Sequence, residues 1–268
     1  MIRDWDDAYA NVAHIAGGEA ILEALPARAR QFRETAESKI GIAYGPGARQ
    51  CFDLFHPSGA SRGLVIFVHG GYWLRLSKDD WSHLAAGAVA RGYTVCMVGY
   101  TLAPEARISD ITEEVTRAIT HVASLVDGPI YLTGHSAGGH LALRQVCASS
   151  QLPASVLARL RRVVGISGVY DLRPLLMTEM NKTLQLTKRE AAAESPALSR
   201  AKGEVPITLW VGDAERPQFI RQSHAMALMW QGLGAEIAVV EEPEAHHFSV
   251  LDGLEIADSP LMSAILGG

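Results

Sequence analysis

Apolar positions along this 268-residue chain fall into short unbroken runs that alternate with longer stretches of helical spacing. Leu64–His69 (LVIFVH) and Thr94–Val98 (TVCMV) are strand-length runs without polar alternation, the pattern of a sheet covered on both faces. Ile130–Thr133, Val163–Ser167, Pro206–Val211 and Glu236–Val240 read the same way. Ahead of them, Ile40–Tyr44 and Cys51–Phe55 flank the turn signal Gly45-Pro46-Gly47 and predict an antiparallel, hairpin-like start. Helical spacing predicts helices over Asp79–Arg91 (closed by Gly92), His140–Cys147, Pro217–Gln231 and Leu254–Leu266. Another is capped by Ser109 and runs to about Val126, burying Ile111, Val115, Ala118, Ile119 and Val122 on one face. Residues 1–39 are helix-prone with an interruption at Pro26, which predicts two short helices packed on the body as an extension. Strands alternating with helices at this spacing imply one α/β domain over residues 1–268. Its mainly parallel sheet would have about eight strands, with helices on both faces. Tyr170–Ser199 has no strand pattern but carries Pro174, Leu175, Leu176, Met177, Met180, Leu184 and Leu186. It is expected as an excursion (170–200) over the sheet's carboxyl edge, either with a small core of its own or walling a ligand pocket there.

Composition changes this picture little. The chain is 48% hydrophobic and 20% charged, with a net charge of −5 and no basic block, which argues against a nucleic-acid partner. No apolar run is long enough to cross a bilayer, so no membrane partner is expected. The first residues, MIRDWDDAYANVAH, lack a charged-then-apolar export signal, and a cytoplasmic location is expected. Cys51, Cys96 and Cys147 are widely spaced in apolar surroundings and read as free thiols rather than a disulfide or a metal site. A homodimer is left open.

Candidate chemistry begins at Gly134-His135-Ser136-Ala137-Gly138, between the run Ile130–Thr133 and a helical segment. A Gly-x-Ser-x-Gly between strand and helix is the nucleophile elbow of an α/β-hydrolase, where glycines two residues either side remove Cβ atoms that would collide. Such a pattern also arises by chance, so its meaning depends on partners elsewhere. Acyl transfer by a serine needs a base, an acid to orient it and donors for the oxyanion, in the chain order Ser, Asp or Glu, His. Glu241-Glu-Pro-Glu-Ala-His-His-Phe248 follows the last predicted strand and offers His246 and His247, of which His247 is the candidate base. Gly212-Asp213-Ala214-Glu215 follows the strand before it; Glu215 is the candidate acid and Asp213 the alternative. His69-Gly70-Gly71-Tyr72-Trp73 follows the strand Leu64–His69, where backbone N–H groups of Gly71 and Tyr72, with that of Ala137, would hold an oxyanion. No metal or organic cofactor is called for, and the histidine-rich tail lacks zinc-ligand spacing.

His69–Trp73, the elbow and Tyr100-Thr-Leu-Ala-Pro-Glu105 together resemble the hormone-sensitive-lipase-like branch of the α/β-hydrolases. The Tyr72-Trp73 ending is similar to that of the kynurenine formamidases (arylformamidases) and their bacterial relatives. Gly41–Gly45, Phe52–Phe55, Asp171–Leu175, Glu215–Ser223 and His247-Phe248 extend the likeness over nearly the whole chain from about residue 40. The resemblance implies hydrolysis of a small acyl substrate, a formyl amide or a short-chain ester, and supports the choice of His247 and Glu215. One departure from the resemblance is Glu215, where the animal members of that family look to have Asp; either can orient a histidine. A generic carboxylesterase or thioesterase would use the same machinery, and a catalytically silent binding module is the non-enzyme alternative. Trp73 and Trp81 are candidates for stacking an aryl group or, equally, core anchors; Arg173 and Asn181 read as surface residues.

Overall fold

The computed structural model describes residues 2–267. Strands β1 (Ser38–Ala43), β2 (Cys51–Phe55), β3 (Leu64–Val68), β4 (Thr94–Val98), β5 (Ile130–His135), β6 (Leu160–Ile166), β7 (Ile207–Gly212) and β8 (Ile237–Glu242) form one sheet in the order 1-2-4-3-5-6-7-8. β2 runs antiparallel to β1 and β4, and the remaining pairs are parallel. Helices α1 (Trp5–Tyr9), α2 (Gly18–Thr35), α3 (Ala86–Ala90), α4 (Ile108–Leu125), α5 (Ala137–Arg144), α6 (Ala154–Leu157), α7 (Asn181–Leu184), α8 (Lys188–Ala193), α9 (Pro217–Gln231) and α10 (Pro260–Leu266) complete the chain. This is the α/β-hydrolase fold that the strand and helix pattern and the elbow predict.

Alternation along β3 shows why its residues are all apolar. Leu64, Ile66 and Val68 join a core with Ile111 and Val115 of α4, Leu141 of α5 and Phe219 of α9. Val65 and Phe67 face the opposite side, with Leu25 of α2, Ala88 of α3 and Leu261 of α10. A strand buried on both faces favours apolar residues and takes a polar one only with a partner, as Thr133 finds in the Val164 carbonyl, whereas the edge strand β1 is largely exposed.

Several helix boundaries differ from expectation. α2 runs through Pro26, which lies on its exposed face, where the carbonyl left without a donor stays open to water. The segment Asp79–Arg91 is two 3-10 turns and the short α3, because Trp81 leaves helical backbone (φ −121°, ψ 8°). α4 starts one residue before Ser109: the Asp110 carboxylate accepts the Arg107 N–H at 2.9 Å and closes the helix start, while Ser109 turns to Glu190. The last helix begins only at Pro260, capped by the Ser259 hydroxyl, after a 3-10 turn over Ser249–Glu255. α5 begins at Ala137, three residues earlier than its apolar spacing suggests. Cys51, Cys96 and Cys147 are free thiols, Cys51 half-buried and the other two buried. Among the described residues no helix is long and apolar enough to cross a membrane.

Candidate active site

Ser136 stands between β5 and α5 with φ 55° and ψ −118°, a conformation that L-residues hold only under constraint. Its N–H donates to the Ile166 carbonyl at 2.8 Å, tying the turn to β6. A Cβ at Gly138 would lie 1.9 Å from the Val68 carbonyl oxygen, so any larger residue would push the elbow off β3. The elbow carries its serine only because the helix backbone can come this close.

The other two predicted partners converge on the same end of the sheet. His247, in the loop after β8, shares a hydrogen bond through Nδ1 with Glu215 Oε2 at 2.6 Å. Glu215 follows β7 and is 7% exposed. Its second oxygen accepts the Gly212 N–H at 3.0 Å and the Ser167 hydroxyl. Ser167 directly follows β6 in left-handed backbone (φ 50°), and no local pattern marks it in the sequence. The His247 ring lies between Phe219 and His135, each centroid 4.5 Å away. Asp213, by contrast, is exposed, and its carboxylate accepts the Glu244 N–H at 2.7 Å, bracing the loops after β7 and β8. His246 Nδ1 accepts the N–H groups of Phe248 and Ser249 and caps the following turn.

His135, beside the nucleophile, donates from Nε2 to the His247 carbonyl at 2.8 Å. Burial, reinforced by the neighbouring His247, pushes its pKa well below the usual value, so it stays neutral. Two adjacent imidazoles therefore differ in duty, and only His247 has a carboxylate partner.

Gly71, Tyr72 and Trp73 hold φ values of 120°, 58° and 61°, so the chain after β3 turns in left-handed backbone for three residues. A Cβ at Gly71 would lie 2.0 Å from the Arg75 carbonyl oxygen. Among the described residues the N–H groups of Gly71, Tyr72 and Ala137 donate to nothing. His69 stacks on Tyr100 at 4.2 Å and donates from Nδ1 to the Gly70 carbonyl, which stiffens the loop's start. Burial holds the His69 pKa down at about 3.

Ser136 and His247 line one cavity of about 20 Å³, room for roughly one water. They share no hydrogen bond across it; such contacts commonly tighten only around substrate. Asn11, Val12 and Leu22 of the N-terminal extension form one wall, and Tyr72, Trp81 and Phe248 another. Of the two readings of the excursion over residues 170–200, a small core of its own or a wall of the pocket, this cavity shows nothing of the second, since none of those residues lines it; Glu194 pairs with Arg144 of α5 and accepts the Thr112 hydroxyl of α4. A second cavity of about 220 Å³ shares Trp81 and Phe248 with the first and reaches Arg28, His83 and Asp252. Trp81 thus meets the cavities, while Trp73 is a core anchor against His140. Arg173 pairs with Asp171 at the surface, and Asn181 braces the Leu186 backbone.

Comparison with known proteins agrees with this architecture. The family model for the alpha/beta hydrolase fold matches residues 65–249. The kynurenine formamidase of Danio rerio is 32% identical over 92% of this chain and 87% of its own length, and that of Salmo salar 30% identical over 91% and 86%. A solved structure from a Silicibacter species, which carries a provisional thioesterase assignment, is 44% identical with a TM-score of 0.93, covering 97% of this chain and 98% of that one. The chain therefore belongs to the α/β-hydrolase fold family of hydrolases and, within it, to the group of the kynurenine formamidases.

Proposed function

We propose that the protein is a serine hydrolase that acts through an acyl-enzyme on an arylformamide of the N-formylkynurenine type. The observation that carries this reading is His247, held by Glu215, opening on the same cavity as Ser136, beside backbone N–H groups without partners. His247 removes the Ser136 proton, and the serine oxygen attacks the formyl carbon. Gly71, Tyr72 and Ala137 then receive the oxyanion on their N–H groups, with the start of α5 adding its dipole. Protonated His247 releases the aryl amine, and water deacylates the serine by the same route reversed. Glu215 fixes the His247 tautomer and offsets the imidazolium charge. A cavity of about 20 Å³ at the serine suits a formyl or similarly small acyl group, and the adjoining 220 Å³ suits a larger leaving group. Kinship with the kynurenine formamidases points the same way.

A second reading, a thioesterase or carboxylesterase of short acyl groups, draws on the Silicibacter relative. A panel of N-formylkynurenine, 4-nitrophenyl esters of rising chain length and a short acyl thioester separates the two. Under the first reading, kcat/KM for the formamide exceeds that for the acetate ester by at least about tenfold; the reverse order would establish the second. Ser136→Ala should lower turnover by several orders of magnitude and abolish labelling by a fluorophosphonate. Near-wild-type hydrolysis in that variant would remove the serine mechanism altogether.

A further inference from the structure

Asn11 lies between α1 and a 3-10 turn over Val12–His14 and is 3% exposed. It lines the Ser136 cavity and also a third cavity, likewise of about 220 Å³ but separate from the one at Trp81 and Arg28, on the Glu215 side of His247. Its amide orientation is dictated by its neighbours. The Tyr72 hydroxyl has one proton, which goes to the Tyr9 carbonyl at 2.9 Å, since a carbonyl can only accept. The Asn11 atom 3.1 Å from that hydroxyl must therefore be the donor Nδ2. Oδ1 is left as a buried acceptor without a donor among the described residues. Leaving such a group unpaired is costly, and a ligand donor beside His247 would satisfy it. The other unpaired acceptor in this cavity, His135 Nδ1, lies beside Gly70, on the oxyanion-loop side rather than on the N-terminal segment that carries Asn11.

Amide and ester hydrolysis differ at the atom that leaves. A departing ester oxygen has lone pairs facing several directions. The amide nitrogen has one lone pair and one N–H, and its lone pair must turn toward protonated His247 before the C–N bond breaks. An acceptor holding the N–H sets that orientation. We propose that Asn11 Oδ1 accepts a hydrogen bond from the scissile formamide N–H and so determines the preference for formamides over esters. This rests on the arylformamidase reading above, with Asn11 as a specificity-determining residue on the leaving-group side.

The test compares formanilide with phenyl formate, which share acyl and aryl groups and differ in N–H against O. In Asn11→Ala the formanilide-to-phenyl-formate ratio of kcat/KM should fall about tenfold, chiefly through formanilide. Asn11→Leu keeps the volume without the acceptor and should match it. Asn11→Asp retains an oxygen at the same place and should keep the ratio within about threefold of wild type. Equal losses on both substrates in the Ala and Leu variants would make Asn11 a brace for Tyr72 only and overturn the proposal. Wild-type protein that cleaves phenyl formate but not formanilide would instead fell the arylformamidase reading, and this proposal with it.

Discussion

At the scale of single residues, the sharpest choice concerns the acid. Asp213 and Glu215 stand two residues apart in one loop, and spacing after Gly212 favours the second. The geometry separates them by what each carboxylate touches: Glu215 meets His247 Nδ1 at 2.6 Å, Asp213 the Glu244 N–H. Glu215→Gln keeps the shape but presents an amide to Nδ1. It should lower kcat by about 10³- to 10⁴-fold, by analogy with the loss of the orienting acid in serine proteases. Asp213→Asn should stay within a few-fold of wild type. Steady-state kinetics on the two variants side by side decide the matter, and a crippling Asp213→Asn would reverse the assignment. Ser136, His247 and the Gly-Gly loop are legible in sequence because each follows a predictable strand. Asn11, Ser167 and His135 are not, since their roles arise from contacts across the fold that leave no local pattern.

At the scale of elements, the N-terminal extension and the excursion exchange expected places. The excursion is bolted to α4 and α5 through Glu194, whereas Asn11 and Val12, after α1, and Leu22 of α2 line the Ser136 cavity. Apolar content distinguishes neither, because both bury hydrophobic residues against the body. What distinguishes them is where their long-range ties lead: the Tyr9 hydroxyl accepts from Gln222 of α9, Arg216 after β7 pairs with Asp7, and Tyr9 packs edge-on against Phe219. An exposed pair such as Arg216–Asp7 contributes little, so Tyr9, 1% exposed, is the principal anchor. Tyr9→Ala should loosen this strap while the sheet stays intact. Amide hydrogen exchange over residues 4–15 should speed up by at least about tenfold, with β3 to β6 unaffected. Acyl specificity should widen at the same time, hexanoyl esters gaining relative to acetyl ones. Unchanged exchange in residues 4–15 would show that the strap is held by something other than Tyr9.

At the scale of the whole molecule, the strands are legible because a sheet buried on both faces is built mainly of apolar residues. Helix ends are less so, since Trp81, Asp110 and Ser259 set them through backbone and capping geometry. The same two-sided burial encloses histidines around the site and couples it to acid stability. Burial holds His69 and His140 at pKa values of about 3, and His135 also well below its ordinary range. In the unfolded chain each takes up a proton near pH 6.5, so between about pH 6.5 and 3 the unfolded state binds more protons than the native one. The native state is fully favoured by these groups above pH 6.5 and loses that advantage as pH falls through the window. From pH 7 to pH 5 the loss is about 2 kcal/mol for each of His69 and His140. His140 donates from Nε2 to the Glu194 carbonyl at 2.7 Å, a bond that a glutamine amide can replace without titrating. Urea unfolding of wild type and His140→Gln at both pH values measures its share. The variant should lose about 2 kcal/mol less than wild type between pH 7 and pH 5. An identical loss in both proteins would mean that His140 accepts its proton without unfolding, and the acid sensitivity would then have to come from His69 and His135.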